Sequence, residues 1–488
     1  MGAVPGGIDT ARGPPMTVPL RHFLVGLALL GCALLVGIGL VADAVPGLGG
    51  LVHVHLFLIG WVCVTIMGAM TQFVPVWSGT TLRSRRLASA QLALVVGGLV
   101  GFGAALVLGR LSWLAGFGAV MLCGFWAFVY NVGRTLATVD EFDVTERHFV
   151  VALAFFVVLT GLGVLLAADL GSGLLAGLGV SHAGVRGAHV TLAVFGAVLT
   201  TIYGALYQLG TMFTQTALRG IDHRLRAVEE VGHPVGVVGL AGGRLVGSTA
   251  LARVGAALVL LAALGFAVVL ARRLSEMRVE RTPMHTRYAV VALALAAWVA
   301  TAAPAWIRSP AAPEHVLGGP GSAPLLLLGV VGFVILGTLY HIVPFVVWVE
   351  RYSDRLGFEA VPMIDDLYDD RLAAADGTLL FVGTALVAAA DLLAGASGTA
   401  LGGGARGPAL VGMTLVTLGV AVFAVNAVWV IRRHSPGTLA RVALGRFAAP
   451  RAVGGSDAVE SDAEAGGAGG GGGTVEGDGT GDEPAPAE

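Results

Sequence analysis

The residues with most chemical reach are histidines inside apolar runs: His53, His55, His189 and His341. An imidazole in hydrocarbon is costly unless ligated or hydrogen-bonded, so each marks a candidate site. His53 and His55 are two residues apart, about 200° around an α-helix, so one ligand can use only one of them. His53 and His189 open two related segments. A neutral imidazole on each of two neighbouring helices can ligate a heme iron from both sides. The other reading is that these rings sit at headgroup level and hydrogen-bond water. Further along the same segments lie three polar pairs, Thr71-Gln72, Tyr207-Gln208 and Tyr340-His341. They could line an aqueous or cofactor cavity, or hydrogen-bond between helices. Asp391, deep in another apolar run, could be protonated, pair with Arg406, or take part in proton movement.

Two loops carry paired acids, DEFDVTER (140–147) and IDDLYDDR (364–371). Neither has the fixed glycine and spacing of a calcium loop, so both read as solvated acidic turns. Cys32, Cys63 and Cys123 each lie in an apolar run. Their spacing fits neither a zinc motif nor a disulfide framework, and they read as packing residues.

Helices must position these groups. Apolar runs of spanning length occupy 22–42, 51–76, 87–109, 112–133, 149–169, 188–213, 249–271, 288–307, 324–349, 378–396 and 408–431. Each is near the roughly 20 residues a helix needs to cross the hydrocarbon, and none alternates with the period of a barrel strand. Eleven crossings scatter the Arg-rich loops over both sides. A twelfth, the short Gly-rich stretch VGHPVGVVGLAGGRLVG (231–247), gathers 23 Arg inside and leaves six outside: Arg110, Arg186, Arg244, Arg253, Arg308 and Arg406. That asymmetry is the one expected of a plasma-membrane protein with both termini cytoplasmic.

An internal repeat agrees with twelve. The segments from His53, His189 and Leu325 align without gaps. Gly60 and Gly68 match Gly196 and Gly204, then Gly329 and Gly337. In that register His53 matches His189, and Gln72 matches Gln208 and His341. The segments are spans two, six and ten, so the expected fold is all-α: about twelve transmembrane helices in three four-helix repeats. The glycines also let helices approach closely.

Composition supports a lipid environment. Of 488 residues 56% are apolar and 12% charged, about half the charge of a soluble domain, which excludes a soluble enzyme. All 29 basic residues are Arg. Nine of the 31 acids lie in the last 32 residues, leaving 22 acids against 29 Arg in the body. The Arg residues sit between apolar runs, which fits a bilayer and not a nucleic-acid partner. The expected organisation is a cytoplasmic segment 1–20, a membrane domain 21–433 and a disordered acidic Gly-rich tail 434–488.

Three sets of four helices, with a histidine at the outer end of span two, resemble subunit I of the heme-copper oxidase and nitric oxide reductase superfamily. VPVWSG after span two is similar to related membrane proteins of the nitric oxide response, and LYHIVPFVVWVERYSDRLG to uncharacterised members of the superfamily. The resemblance implies heme b on the outer side, held by His53 or His55 and, by symmetry, His189. It implies a role in electron transfer or in nitric oxide or metal handling, with other membrane redox subunits as partners. It also implies departures. Span seven offers only His233 before Pro234, and span ten has Ser322 where the superfamily has histidines, so neither a copper centre nor oxygen reduction is expected. A cofactor-free, transporter-like protein is the alternative. The all-Arg usage and acidic tail resemble halophilic archaeal proteins.

Overall fold

In the computed structural model the described residues are 15–397, 403–435 and 438–444. They contain no β-strand beyond one isolated bridge, Leu356 to Glu359. Eleven helices are long and apolar enough to cross a membrane, which makes this a multi-pass membrane protein. They are α1 (Thr17–Val41), α2 (Gly49–Trp77), α3 (Arg85–Val107), α4 (Leu111–Leu136), α5 (Val144–Ser172) and α6 (His182–Thr214). After α7 come α8 (Thr249–Ser275), α9 (Pro283–Arg308), α10 (Ser322–Arg355), α11 (Asp370–Ser397) and α12 (Arg406–His434). The helix α7, Ile221–Val246, is as long as its neighbours but falls short of them in hydropathy, because it carries Asp222, Glu229, Glu230, His233 and Arg244.

Three expectations need correction. The Gly-rich stretch begins a helix ten residues earlier than expected, at Ile221 rather than 231. The segment 1–20 already contains the first turn of α1, which starts at Thr17. The tail contains a helical turn, Leu439–Leu444, which packs on α1; residues 445–488 lie outside the described residues. Of the cysteines only Cys63 is buried, while Cys32 and Cys123 are exposed on the outside of the bundle.

Local chemistry sets the helix ends. Ser84 caps α3 by accepting from the Leu87 N–H at 3.2 Å, and Asp143 caps α5 with a reciprocal bond from Glu146. Gly247 ends α7 at a φ of +72°, a conformation that suits glycine. The glycines of α7 serve close packing. A side chain at Gly243 or Gly255 would run into the backbone of the facing helix, so α7 and α8 form a tight hairpin. The pairs α3–α4 and α11–α12 pack in the same hairpin manner.

The inner helices are α2, α6 and α10. In α6 and α10, 83% and 78% of the most apolar stretch is buried, against 28% in α11. Each inner helix contains eight residues of π-helix: Leu56–Cys63, Leu192–Leu199 and Leu325–Gly332. These begin at positions that match in the glycine register. The three helices enclose an apolar cavity of about 80 Å³, with Phe23 of α1 and Phe149 of α5 closing its sides.

Candidate functional site

Of the four histidines near the start of α2 and α6, His182 is exposed and pairs with Asp169, while His53, His55 and His189 are half-buried and share one hydrogen-bonding pattern. His53 Nδ1 lies 2.8 Å from the Ala33 carbonyl of α1, and His189 Nδ1 lies 2.9 Å from the Leu159 carbonyl of α5. His55 Nδ1 lies 2.7 Å from the Leu51 carbonyl one turn back, with its ring 5.1 Å from Phe102. A carbonyl only accepts, so in each ring Nδ1 carries the proton and Nε2 keeps a lone pair. In the repeat register His53 corresponds to His189, yet His55 is the electrostatic neighbour of His189. His53 instead packs in the groove made by Gly37, beside Met413 of α12. Ser322, at the corresponding place in α10, donates to Thr301 at 2.9 Å, and Thr301 in turn donates to the Trp298 carbonyl at 3.1 Å.

The polar pairs near the other ends of α2, α6 and α10 divide. Thr71, Tyr207 and Tyr340 are buried and face neighbouring helices. Gln72 and Gln208 are half-buried, and Gln72 Oε1 has no partner among the described residues. His341 packs its ring 4.3 Å from Phe213 and stacks on Phe345 at 6.0 Å. None of these lines the central cavity, whose wall is made by residues such as Thr65, Thr201 and Thr338. Asp391 does not pair with Arg406. Its Oδ2 accepts from the Gly321 N–H at 2.8 Å, while Arg406 pairs with Asp43 at 2.8 Å.

Tyr207 and Tyr340 lead to groups that hydropathy and histidine spacing missed. Tyr340 donates to Asp376 of α11, which also accepts from Arg287 of α9. The Arg287 guanidinium lies 4.4 Å over the Tyr340 ring. Tyr207 lies close to Glu229 of α7, whose Oε2 is 3.2 Å from His148 Nε2 of α5. Thr71 accepts from Gln91 of α3 at 3.4 Å. A Cβ on Gly68 would meet the His22 Cβ of α1 at 2.6 Å. Glycine contacts place His148 beside Gly204 and Arg287 beside Gly337 in the same way. Each first member also bonds the carbonyl four residues back: His22 to Val18 at 2.7 Å, His148 to Val144 at 2.6 Å, Arg287 to Pro283 at 2.9 Å.

Three triads that correspond in place result: His22–Gln91–Thr71, His148–Glu229–Tyr207 and Arg287–Asp376–Tyr340; only the third is hydrogen-bonded throughout, since His22 Nε2 and the Tyr207 hydroxyl have no partner among the described residues. A sequence signal for them existed. Ser84, Asp222 and Asp369 stand at the starts of α3, α7 and α11, and Gln91, Glu229 and Asp376 follow each by seven residues. The loop acids are thus helix caps as much as solvated turns. Asp143 Oδ1 accepts from the Thr145 N–H at 2.6 Å, and Asp369 Oδ1 from the Arg371 N–H at 2.8 Å.

At the opposite end Arg244, one of the six expected outside, is buried. It donates to the carbonyls of Pro310 (2.9 Å), Val316 (3.1 Å) and His315 (3.1 Å) and to the Thr191 hydroxyl (2.6 Å). It holds the loop between α9 and α10 against α6.

No protein-family model matches the chain, and no curated protein matches it.

Proposed function

We propose that this is a membrane protein like subunit I of the heme-copper oxidases, built as three four-helix units with α7 as the seventh of twelve crossings. Its termini are cytoplasmic in the plasma membrane, on the Arg-rich side. It binds a heme at the opposite side and serves electron transfer or nitric oxide or metal handling, without oxygen reduction. The three-unit reading is supported by the recurring π-segments, the shared glycine contacts and the three triads.

One observation carries the cofactor reading: His55 and His189 lie on different inner helices, each with Nδ1 tied to a backbone carbonyl. Metal-bound imidazoles have this second-shell arrangement, which fixes the ring and leaves Nε2 free. These residues fit a heme iron, with His53 as the further candidate on α2. When bound, the heme supplies one-electron chemistry. The protein's part is to orient the imidazoles and keep the site among apolar helices.

The test is visible absorption of the full chain purified from cells supplied with heme precursor. A Soret band that is lost in His55→Ala and His189→Ala supports the reading. A protein without heme, or a spectrum unchanged in both variants and in His53→Ala, overturns it.

A further inference from the structure

The three triads differ in one chemically decisive respect. In the first, Gln91 cannot ionise, and the His22 ring bonds only Val18. In the third, the Arg287 guanidinium is a permanent counter-charge to Asp376. Only the second sets an acid against an imidazole. His148 Nδ1 donates to the Val144 carbonyl, so that nitrogen already holds its proton. His148 Nε2 faces the Glu229 carboxylate at 3.2 and 3.3 Å. Neither a deprotonated Nε2 nor a carboxylate can donate, so this contact requires one more proton between them. Glu229 is fully buried and His148 nearly so.

We propose that Glu229 and His148 form a proton-exchanging site loaded from the Arg-rich end of the bundle. The entry lies one residue away on both helices, where Arg147 pairs with Glu230 with side chains 45% and 20% exposed. A proton leaves a hydronium ion there, which becomes water, and joins the position shared by Glu229 and His148. No electron moves and no other bond changes. The groups facing Glu229 are consistent with passage inward. α7 itself contributes Arg226, Glu230 and His233, α5 contributes His148 beside Arg147, and α6 contributes Tyr203 and Tyr207. α8 presents the Phe266 ring to both tyrosines.

Four of these groups have unused hydrogen-bonding capacity, since Arg226 Nε, the Tyr203 and Tyr207 hydroxyls and His233 Nδ1 are buried without a partner among the described residues. His233 donates from Nε2 to the Phe195 carbonyl at 2.9 Å, inside the π-segment of α6. Its Nδ1 therefore keeps a lone pair, and that atom is buried without a partner, as is the Tyr203 hydroxyl. The two rings meet edge-on at 5.0 Å. Beyond them Phe195 packs against Trp298 and Trp306 at 5.5 and 5.3 Å. These aromatic rings pack together on that side of the site, whereas the Arg147–Glu230 pair on the other side is solvent-exposed.

The experiment is infrared difference spectroscopy of the full chain in lipid nanodiscs, stepped between about pH 5 and pH 8 where imidazole-linked protonation falls. The expected result is a paired carboxyl and imidazole signal in the unmodified protein. Glu229→Gln removes the carboxyl component. His148→Arg, which copies the Arg287–Asp376 arrangement, locks Glu229 as carboxylate and abolishes its pH response. If Glu229→Gln does not fold, Glu229→Asp displaces the carboxyl band instead of removing it. A pH-independent spectrum in the unmodified protein overturns the proposal, as does a carboxyl signal that the position-229 variant and His148→Arg both leave intact. Neither result depends on whether heme is bound.

Discussion

Asn131 of α4 grips Ser84 through both edges of its amide, accepting from the Ser84 N–H at 2.9 Å and donating to the Ser84 carbonyl at 2.9 Å. Asn426 of α12 grips Asp369 in the same way, at 3.0 and 2.9 Å. At the start of α7 Arg273 of α8 takes this place, binding Asp222 at 2.7 Å and the Ala217 carbonyl. Each grip sets the start of the helix that presents Gln91, Glu229 or Asp376 seven residues later.

Asn131→Asp should therefore be destabilising although it changes one atom. A carboxylate accepts from the Ser84 N–H but faces the Ser84 carbonyl without a donor. The expected cost is about 1–3 kcal/mol, read as a lower midpoint of thermal unfolding in detergent. Asn131→Asp and Asn426→Asp should behave alike; an unchanged midpoint in both contradicts the role assigned to the amides.

Arg287→Ala leaves Asp376 buried beside Tyr340 with its counter-charge gone. A loss of about 3–5 kcal/mol is expected. The double variant Arg287→Ala with Asp376→Ala should recover part of it, because no unpaired charge remains. A thermal-unfolding double-mutant cycle measures the coupling.

Arg244→Lys keeps the charge, but one ammonium cannot reproduce a planar fork bonded to Pro310, Thr191, His315 and Val316. The expected loss is about 2–4 kcal/mol. The loop between α9 and α10 should become more sensitive to protease while the helix content stays the same.

Asp143 offers a pH test outside the crossings. Burial pushes its carboxyl up, but the hydrogen bonds with Glu146 and Thr145 outweigh burial and hold it below its ordinary value of 3.8. The stabilisation is thus present above pH 3.8 and is lost as pH falls through the lower folded value. Asp143→Ala should cost about 1 kcal/mol near neutrality, and the difference from the parent should shrink at low pH. Unfolding midpoints across the acid range check the sign.

Hydropathy made the eleven apolar helices legible, because a crossing segment must hide its backbone and show apolar side chains to lipid. It misplaced the start of α7 for the same reason: Asp222, Glu229 and Glu230 read as loop, and their partners are on other helices. The glycine register marks Tyr207 and Tyr340 but not Glu229 and Asp376, which lie on α7 and α11 outside the repeated segments. Asp391 shows the limit of charge pairing from sequence. Its partner is the Gly321 N–H, a backbone donor that no composition or spacing marks. The π-segments were equally illegible, since their residues Leu56–Cys63 are as apolar as an ordinary crossing helix.

Those π-segments give each inner helix one residue of slack. A wide turn holds a residue more than the α-helical bonding pattern needs. Deleting one residue within Leu56–Cys63 would let the chain close ordinary α-helical bonds. The lost residue is the one that the wide turn absorbs, so the end bearing His53 and His55 would keep nearly its rotation relative to the end bearing Thr71. The same holds for α6, where His189 and Tyr207 stand on either side of Leu192–Leu199. A change of one residue in chain length inside these stretches is therefore one that the bundle can take up without turning either end of the helix away from its neighbours.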